Sequence, residues 1–173
     1  MLRILTLTFL IVLGHQVNAE TVSGEFTSID GGVISLEDWR GGPVLVVNTA
    51  SRCGFTRQYD DLQALHDRYQ ARGLRVLAVP SNDFRQELAT AEQVKDFCAV
   101  NFDLDLPMTD ITHVRGKRAH TFYKDVRAAT GFAPRWNFNK VLVGPDGTVV
   151  KTWPARTNPQ SREITQEIEA LLN

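Results

Sequence analysis

The distribution of apolar and polar positions along the chain predicts short strands that alternate with helices. Two strand-like pieces, 22–27 and 32–36, are separated by an Asp-Gly-Gly sequence that is typical of a hairpin turn. A continuous apolar run follows over 44–48, and a second one occupies 74–80. Runs of this kind indicate strands that are covered on both faces of a sheet.

Apolar residues recur at helical spacing between and after these two runs. The first such helix ends at Gly73, the second begins at Thr90 with a capping-box sequence, and a short third helix is predicted over 119–128. The predicted inward face of the first helix comprises Tyr59, Leu62, Leu65, His66 and Tyr69. The inward face of the second comprises Val94, Phe97, Cys98 and Val100.

The last part of the chain predicts a hairpin followed by a helix. Strands over 140–143 and 148–153 flank a Gly-Pro-Asp-Gly turn, and an amphipathic helix spans 160–172. The order of elements is βαβ, then α, then ββα. We therefore predict an α/β fold in which a mixed central sheet is flanked by helices on both faces.

The N-terminal segment differs from the rest of the chain. Arg3 precedes an apolar run over 4–13, and the small residue Ala19 suits cleavage. This layout is typical of a secretory signal peptide, and the run is shorter than the roughly 20 residues that span a membrane. We expect 1–19 to be removed and 20–173 to form a single domain that is exported to a periplasm or secreted. An uncleaved N-terminal anchor is the alternative.

Composition and charge narrow the range of functions. The chain has 173 residues, of which 43% are hydrophobic and 23% charged, and its formal net charge is -1 at pH 7. This near-neutral charge gives no electrostatic footprint for nucleic acid or for an anionic membrane surface. Two cysteines are too few for a disulfide framework or a cysteine-rich zinc site, so we expect them to serve redox or nucleophilic chemistry.

Cys53 occupies the junction between the first buried strand and the helix that follows it. Exposed helix N–H groups and the positive end of the helix dipole favour an anion there, which predicts a lowered thiol pKa. An inward-turned Arg52 side chain would add to this effect. The alternative is a buried structural cysteine, although Cys53 does not lie within an apolar run.

Three segments of the chain carry a resemblance to a known family. The sequence 48–56 around Cys53 resembles the active-site signature of the glutathione peroxidase family. The segment 136–143 is similar to the second signature of that family, and 79–84 is similar to its central motif. The three occur in family order and spacing, and the likeness covers residues 22–172. The resemblance implies a thioredoxin-like fold, which agrees with the predicted order of elements.

The same resemblance implies roles for three side chains. Cys53 would be the peroxidatic residue, whose thiolate attacks the O–O bond of a peroxide, becomes a sulfenic acid and releases water or an alcohol. Trp136 and Asn137 would donate N–H hydrogen bonds to the thiolate and to the developing oxygen charge. Without the motif, Trp136 would be taken for a core aromatic residue and Asn137 for a turn residue.

Asp83 stands where the family usually has a glutamine. A glutamine can donate a hydrogen bond to the thiolate, whereas an ionised carboxylate cannot and would raise both pKa values by charge repulsion. We therefore expect Asp83 to be protonated, to act as a base for the thiol proton, or to point away. In the last case Asn82 would supply the donor.

The second cysteine, Cys98, has more than one interpretation. Its place on the apolar face of the second predicted helix favours a small core residue. The segment 97–102, however, resembles the one that carries the resolving cysteine in two-cysteine members of the family, which are recycled by thioredoxin rather than glutathione. Cys98 would then form a disulfide with Cys53, which needs local opening of the helix if the two thiols start far apart. A permanent structural disulfide between these two residues is a further alternative.

The resemblance also sets the expected substrate and partners. We expect an antioxidant thiol peroxidase that reduces hydrogen peroxide or organic hydroperoxides, with a thioredoxin-like protein or glutathione as reductant and with no cofactor or metal ion. The segment between His120 and Trp136 lacks an insertion that tetrameric members carry, which predicts a monomer.

Two other classes of redox protein fit less well. A thiol–disulfide oxidoreductase would have a Cys-x-x-Cys pair, which Cys53 lacks, and a peroxiredoxin would have threonine where Ala50 stands. The remaining alternative is a redox sensor that relays peroxide oxidation to a partner protein.

Overall fold

The computed structural model of the chain describes residues 20–172. Its strands are β1 (Glu25–Thr27), β2 (Val33–Ser35), β3 (Val44–Thr49), β4 (Arg75–Pro80), β5 (Lys140–Val143) and β6 (Val149–Trp153). Its α-helices are α1 (Gln58–Tyr69), α2 (Ala91–Phe102), α3 (Thr121–Thr130) and α4 (Arg162–Leu171). The helices predicted over 119–128 and 160–172 are confirmed as α3 and α4, with ends that differ by at most two residues.

The central sheet is mixed, as predicted. Its strand order is β4-β3-β5-β6, with β3 parallel to β4 and antiparallel to β5. β5 and β6 form the predicted hairpin, and β1 pairs with β2 in a separate two-stranded sheet. All residues of β3 are buried, because this strand is central in the sheet and both of its faces are covered.

Each face of the sheet packs into its own hydrophobic cluster. Alternate residues of a strand point to opposite faces, so Leu45 enters one cluster and Val46 the other. The first cluster is completed by α1, α2 and α4, and it contains both Cys53 and Cys98. The second is completed by α3 and the β1–β2 hairpin. Helices therefore lie on both faces, and the α/β prediction is confirmed.

Helix α2 follows its sequence signals with two differences. Thr90 caps the helix by accepting a hydrogen bond from the N–H of Gln93 at 3.3 Å, whereas the Gln93 side chain accepts from the N–H of Ala89 and not from that of Thr90. Cys98 is buried on the predicted face, but Val100 is 84% exposed, so its placement there was wrong. Two positions along an α-helix correspond to a rotation of about 200°, which turns Val100 to solvent.

Residues 1–19, predicted to be a signal peptide, lie outside the described residues. The alternative of an uncleaved anchor concerns the same segment. Between residues 20 and 172, no helix is long and apolar enough to cross a membrane. Cleavage and export therefore stay predictions at this point.

Lys140, at the start of β5, is fully buried, which is rare for a lysine. Its Nζ donates hydrogen bonds to the side-chain oxygen of Gln58 on α1 and to the carbonyl oxygens of Ala155 and Thr157. Burial lowers the pKa of Lys140 to about 7. The lysine thus ties α1 and the segment after β6 to the central sheet.

Lys140 is expected to make the stability of the protein increase with pH between about 7 and 10. The unfolded chain keeps the lysine proton up to a pKa of about 10.4, whereas the folded chain releases it near 7, so the unfolded state binds more protons in this window. Lys140→Met should remove this contribution and change the pH slope of the free energy of unfolding by about 1 kcal/mol per pH unit. Urea unfolding at several pH values measures the slope. The exposed Lys124→Met is the matched control, and equal slopes in both variants would contradict the prediction.

Candidate active site

Cys53 lies in the turn segment that joins the end of β3 to the start of α1. Its side chain is buried, and its sulfur is a free thiol. The first turn of α1 begins at Gln58, and a hydrogen bond of 3.1 Å from the N–H of Thr56 to the Cys53 carbonyl closes the turn between them. The strand-to-helix location is therefore confirmed. Activation of Cys53 by the N-terminus of α1 stays a prediction, because residues 54–57 separate the two.

The turn that carries the second motif is fixed to the end of β3 by Asn48. The side-chain amide of Asn48 donates to the carbonyl oxygen of Trp136 at 2.9 Å, and its side-chain oxygen accepts from the N–H of Asn139 at 3.1 Å. The N–H of Phe138 donates to the Asn48 backbone carbonyl. Phe138 has a left-handed φ of +61°, which a bulky residue rarely adopts, so these bonds define the turn.

Asn137 is fully buried at the centre of this turn. Its amide Nδ2 donates a hydrogen bond of 2.9 Å to Oε1 of Gln86, in the loop after β4. The backbone carbonyl of Gln86 accepts the N–H of Arg52 at 2.8 Å, and Arg52 directly precedes Cys53. Gln86 therefore connects the second motif to the segment that carries the thiol.

Trp136 is 41% exposed, unlike the core aromatic that an isolated tryptophan would suggest. Its ring packs against Phe84 at a centroid distance of 5.6 Å, and the guanidinium of Arg115 lies 5.2 Å from the centroid of the same phenyl ring. Phe84 belongs to the central motif, so this contact joins the second and central motifs. A partly exposed indole can offer its N–H to a small bound molecule.

Both carboxylate oxygens of Asp83 are engaged with a segment outside this cluster. Oδ1 lies 2.7 Å from Nδ1 of His113, and Oδ2 accepts the N–H of Val114 at 2.7 Å and that of Arg115 at 3.0 Å. Among the three roles considered from the sequence, these bonds fit the one in which Asp83 points away from the thiol.

Gln86, which sequence reasoning did not name, accepts a hydrogen bond from Asn137 of the second motif. The sequence did offer one signal: Gln86 is an amide side chain three positions after Asp83 in the same polar loop. Arg85 has a left-handed φ of +59°, and this turn redirects the chain between Asp83 and Gln86. An arginine does not mark such a turn in a sequence, which is why Gln86 was not named from the sequence.

Glu87, which follows Gln86 in the loop after β4, hydrogen-bonds to the segment that carries Cys53. Its Oε1 accepts the N–H of Ser51 at 3.0 Å and that of Leu88 at 2.8 Å. Its own N–H donates to Oδ1 of Asn82 at 3.2 Å, so Asn82, considered earlier as a donor to the thiol, supports this loop through its oxygen. Burial raises the pKa of Glu87.

Cys98 lies on α2, is 2% exposed and belongs to the same hydrophobic cluster as Cys53. Its sulfur is also a free thiol. Burial raises the pKa of Cys98 to about 12, and the negative charge of Glu87 acts in the same direction. The expectation of a core residue agrees with this burial, and the resolving role stays a prediction.

The three histidines within residues 20–172 have other surroundings. His113 contacts Asp83, and His120 caps α3 by accepting the N–H of Phe122 at 3.3 Å. His66 is buried on α1. Across residues 20–172, the His, Cys, Asp and Glu side chains form no group of three that could hold a metal ion.

Comparison with known proteins agrees with this geometry. The family model described as glutathione peroxidase matches residues 22–127, which include Cys53, Gln86 and Cys98. The chain is 38% identical over 168 residues to the hydroperoxy fatty acid reductase of Synechocystis, covering 91% of this chain and 98% of the relative. It is 36% identical over 149 residues to a glutathione peroxidase of Lactococcus lactis, covering 83% of this chain and 94% of the relative.

Solved structures share the fold. The crystal structure of T. cruzi GPX1 superposes with a TM-score of 0.65 at 29% identity, covering 86% of this chain and 93% of that chain. A thiol-disulfide isomerase from Corynebacterium glutamicum superposes with a TM-score of 0.71 at only 18% identity, covering 90% of this chain and 97% of that chain, and its likeness concerns the fold alone. The expected thioredoxin-like fold is thus confirmed. The chain belongs to the glutathione peroxidase family and is a peroxide-reducing thiol peroxidase.

Proposed function

We propose that Cys53 is the residue that reacts with peroxide and that Trp136, Asn137 and Gln86 supply the hydrogen-bond donors around it. One observation carries this proposal. Gln86 contacts both Asn137 and the segment that carries the thiol. Its side-chain oxygen accepts a hydrogen bond from Asn137, and its backbone carbonyl accepts the N–H of Arg52, the residue before Cys53. Hydrogen peroxide and organic hydroperoxides are the proposed substrates.

The reaction uses these groups in one displacement. The Cys53 thiolate attacks one peroxide oxygen, the S–O bond forms, the O–O bond breaks, and the leaving oxygen takes a proton to become water or an alcohol. The bond from Asn137 uses only the side-chain oxygen of Gln86, which leaves the Nε2 group available as a donor. Donors that are fixed before the reaction stabilise the developing oxygen charge without reorganisation.

Gln86→Met is expected to slow the oxidation of Cys53 by about 100-fold, because methionine keeps the length of the side chain but lacks the donor. The second-order rate constant for thiol loss with hydrogen peroxide measures this step. The exposed Gln70→Met is the matched control and should react at the wild-type rate. A larger loss in Asp83→Leu, which leaves no polar group at that position, than in Gln86→Met would assign the main role to position 83 instead.

Cys98 is the proposed resolving cysteine, with a thioredoxin-like protein as reductant. Its membership in the hydrophobic cluster of Cys53 supports this proposal, because opening of α2 exposes both thiols in one event. The sequence 97–102 supports it through its likeness to the corresponding segment of two-cysteine members. Glutathione as the direct reductant of Cys53 is the alternative.

The proposed site of action is outside the cytoplasm, and the proposed form is a monomer. The signal-like sequence of 1–19 supports export, and the short connection between His120 and Trp136 supports the monomer.

A redox sensor with the same chemistry is the second candidate. It would transfer its oxidation to one partner protein, whereas a peroxidase consumes many peroxide molecules per chain.

The proposed function is tested by the intact mass of the pre-reduced mature chain after brief exposure to equimolar hydrogen peroxide. Loss of two hydrogens is expected, since a Cys53–Cys98 disulfide has formed. A gain of oxygen without that loss would reject Cys98 as the resolving residue and favour an external thiol. Peroxide consumption with thioredoxin or glutathione then separates an enzyme from a sensor, because a sensor stops after one equivalent.

A further inference from the structure

An open cavity of about 990 Å³ lies beside the turn that carries Trp136. Arg135 and Asn139, on the two sides of Trp136 in this turn, line the cavity, and the Asn139 amide donates a hydrogen bond to the Trp136 carbonyl oxygen. Arg115 and Arg127 line it from two further segments. Because three guanidinium groups share this space, we call it the arginine cavity.

The arginine cavity lies at the same end of the central sheet as Cys53. Pro154, which lines the cavity, follows β6, and the last residue of β6, Trp153, pairs with Lys140. Lys140 also pairs with Val47 near the end of β3, and Cys53 follows β3 in the chain. A molecule bound in the cavity is therefore held at the end of the sheet that carries the thiol.

The arginine cavity is strongly positive. Within the described part of the chain, no acidic side chain lines it, and none of its three arginines forms an ion pair. Arg40 and Arg68, by contrast, each pair with a glutamate. Guanidinium groups without a counter-ion repel one another, whereas a carboxylate accepts paired N–H hydrogen bonds from them. The cavity therefore suits a carboxylate-bearing ligand.

Aromatic and apolar side chains extend this surface. Phe132 and Pro134 line the cavity together with the arginines. The guanidinium of Arg115 lies 5.2 Å from the ring centroid of Phe84, and that ring packs against the half-exposed Trp136. Tryptophan and arginine side chains around a pocket are typical of the residues that dominate binding between proteins. The cavity is also much larger than a single ion, so these features favour a protein surface as the occupant.

Opening of α2 would leave this surface in place. α3, which carries Arg127, packs into the second hydrophobic cluster, whereas α2 with Cys98 packs into the first. The central sheet separates the two clusters. A partner bound at the arginine cavity would therefore keep its contacts while Cys98 leaves its place on α2.

We propose that the arginine cavity docks the protein that reduces the oxidised enzyme, by binding an acidic side chain that this reductant carries beside its own thiols. The inference rests on the proposed function, in which a thioredoxin-like protein reduces a Cys53–Cys98 disulfide. It goes beyond that function by naming the surface of this chain that the reductant contacts and the charge of the partner surface.

The redox step itself favours a positive docking surface. A thiolate of the reductant attacks one sulfur of the disulfide, a mixed disulfide forms, and the other cysteine leaves as a thiolate. The second thiol of the reductant then breaks the mixed disulfide. Overall, the reductant loses two electrons and two protons, and both cysteines of this chain become thiols again. Because the attacking group is an anion, cations near its target increase the rate of productive encounter.

The test compares thioredoxin with dithiothreitol as reductants of the mature chain during steady-state consumption of hydrogen peroxide. Dithiothreitol is an uncharged dithiol that reduces a disulfide without docking, so the ratio of the two kcat/KM values isolates recognition. Arg127→Gln and the double variant Arg127→Gln/Arg135→Gln remove charges from the cavity. The matched control is Arg75→Gln, since Arg75 is exposed at the start of β4, at the opposite end of the sheet. Each protein is measured from about 0.01 M to about 1 M salt, over which the screening length falls from about 30 Å to about 3 Å.

At low salt, the ratio is expected to fall about threefold in Arg127→Gln and about tenfold in the double variant, mainly through a higher KM for thioredoxin. The wild-type ratio should fall as salt is added, and the double variant should lose most of this salt dependence. Arg75→Gln should keep both the ratio and the salt dependence of the wild type. A wild-type ratio in the double variant would overturn the inference.

Other outcomes would also overturn the inference, and they separate its failure from that of the proposed function. An equal loss of kcat/KM with glutathione, which is an anion, would assign the cavity to a small thiol. Loss of binding to phosphatidylglycerol vesicles, with an unchanged ratio, would assign it to a membrane surface. Turnover of the wild type with dithiothreitol but not with thioredoxin would reject the protein reductant. Absence of turnover with every reductant would reject the role of Cys53.

Discussion

Cys53→Ser is expected to reduce peroxide turnover at least about 1,000-fold, to the background of the assay. A serine hydroxyl is not ionised near neutral pH and does not displace oxygen from a peroxide, so the donors of Gln86 and Asn137 have no nucleophile to act on. The measurement is steady-state consumption of hydrogen peroxide with a saturating reductant. The expected loss is the largest of any single substitution in this chain.

Cys53→Ala provides the control for this first prediction. It removes the same sulfur without a new buried hydroxyl, so both variants should be equally inactive. Urea unfolding of the two should show a folded protein, which separates loss of chemistry from loss of structure. Turnover above one tenth of the wild-type rate in either variant would assign the nucleophile to another residue.

Cys98→Ser is expected to stop recycling by a thioredoxin-like donor while Cys53 is still oxidised in a single turnover. Without the second thiol, the sulfenic acid of Cys53 persists and is oxidised further at high peroxide concentration. Steady-state turnover with the donor should fall by about 100-fold, a loss of the size expected when one obligatory step is removed. Intact mass after equimolar peroxide should show a gain of oxygen in place of a loss of two hydrogens.

Val94→Ala is the matched control for the second prediction, because Val94 is also buried on α2. It loosens the packing of the helix but keeps both thiols, so the disulfide should still form. Equal steady-state rates for wild type and Cys98→Ser with a thioredoxin-like donor would show that Cys98 does not resolve the sulfenic acid. If turnover of Cys98→Ser with the thioredoxin-like donor falls as expected, its restoration by glutathione would identify glutathione as an alternative reductant of Cys53.

The strands and helices were predictable because local patterns determine them. β3 lies under helices on both faces, and its continuous apolar sequence is visible without any knowledge of its partners. The face of α1 was correct because all five of its inward positions follow the helical period. Val100 was misplaced because an apolar residue was assigned to a face from which the helix turns it away.

The site was predictable only where a motif named the residue. Gln86 was missed because the left-handed turn at Arg85 decides which polar side chain of the loop reaches Asn137. Glu87 and Lys140 were missed because charged residues are usually exposed, and their burial depends on partners far away in the sequence, such as Ser51 and Gln58. Long-range contacts of this kind are not encoded in a local pattern.

The membership of both cysteines in a single hydrophobic cluster has a consequence for how fast the protein can work. If recycling requires Cys98 to leave its place on α2, every catalytic cycle breaks and rebuilds part of the core. The local unfolding free energy of this helix then becomes a component of the activation barrier for recycling. A sequence change that packs α2 more tightly would protect the resting protein from proteolysis and heat. The same change would slow recycling, so the oxidised Cys53 would be exposed to a second peroxide molecule for longer. Selection on this helix would therefore balance durability against turnover.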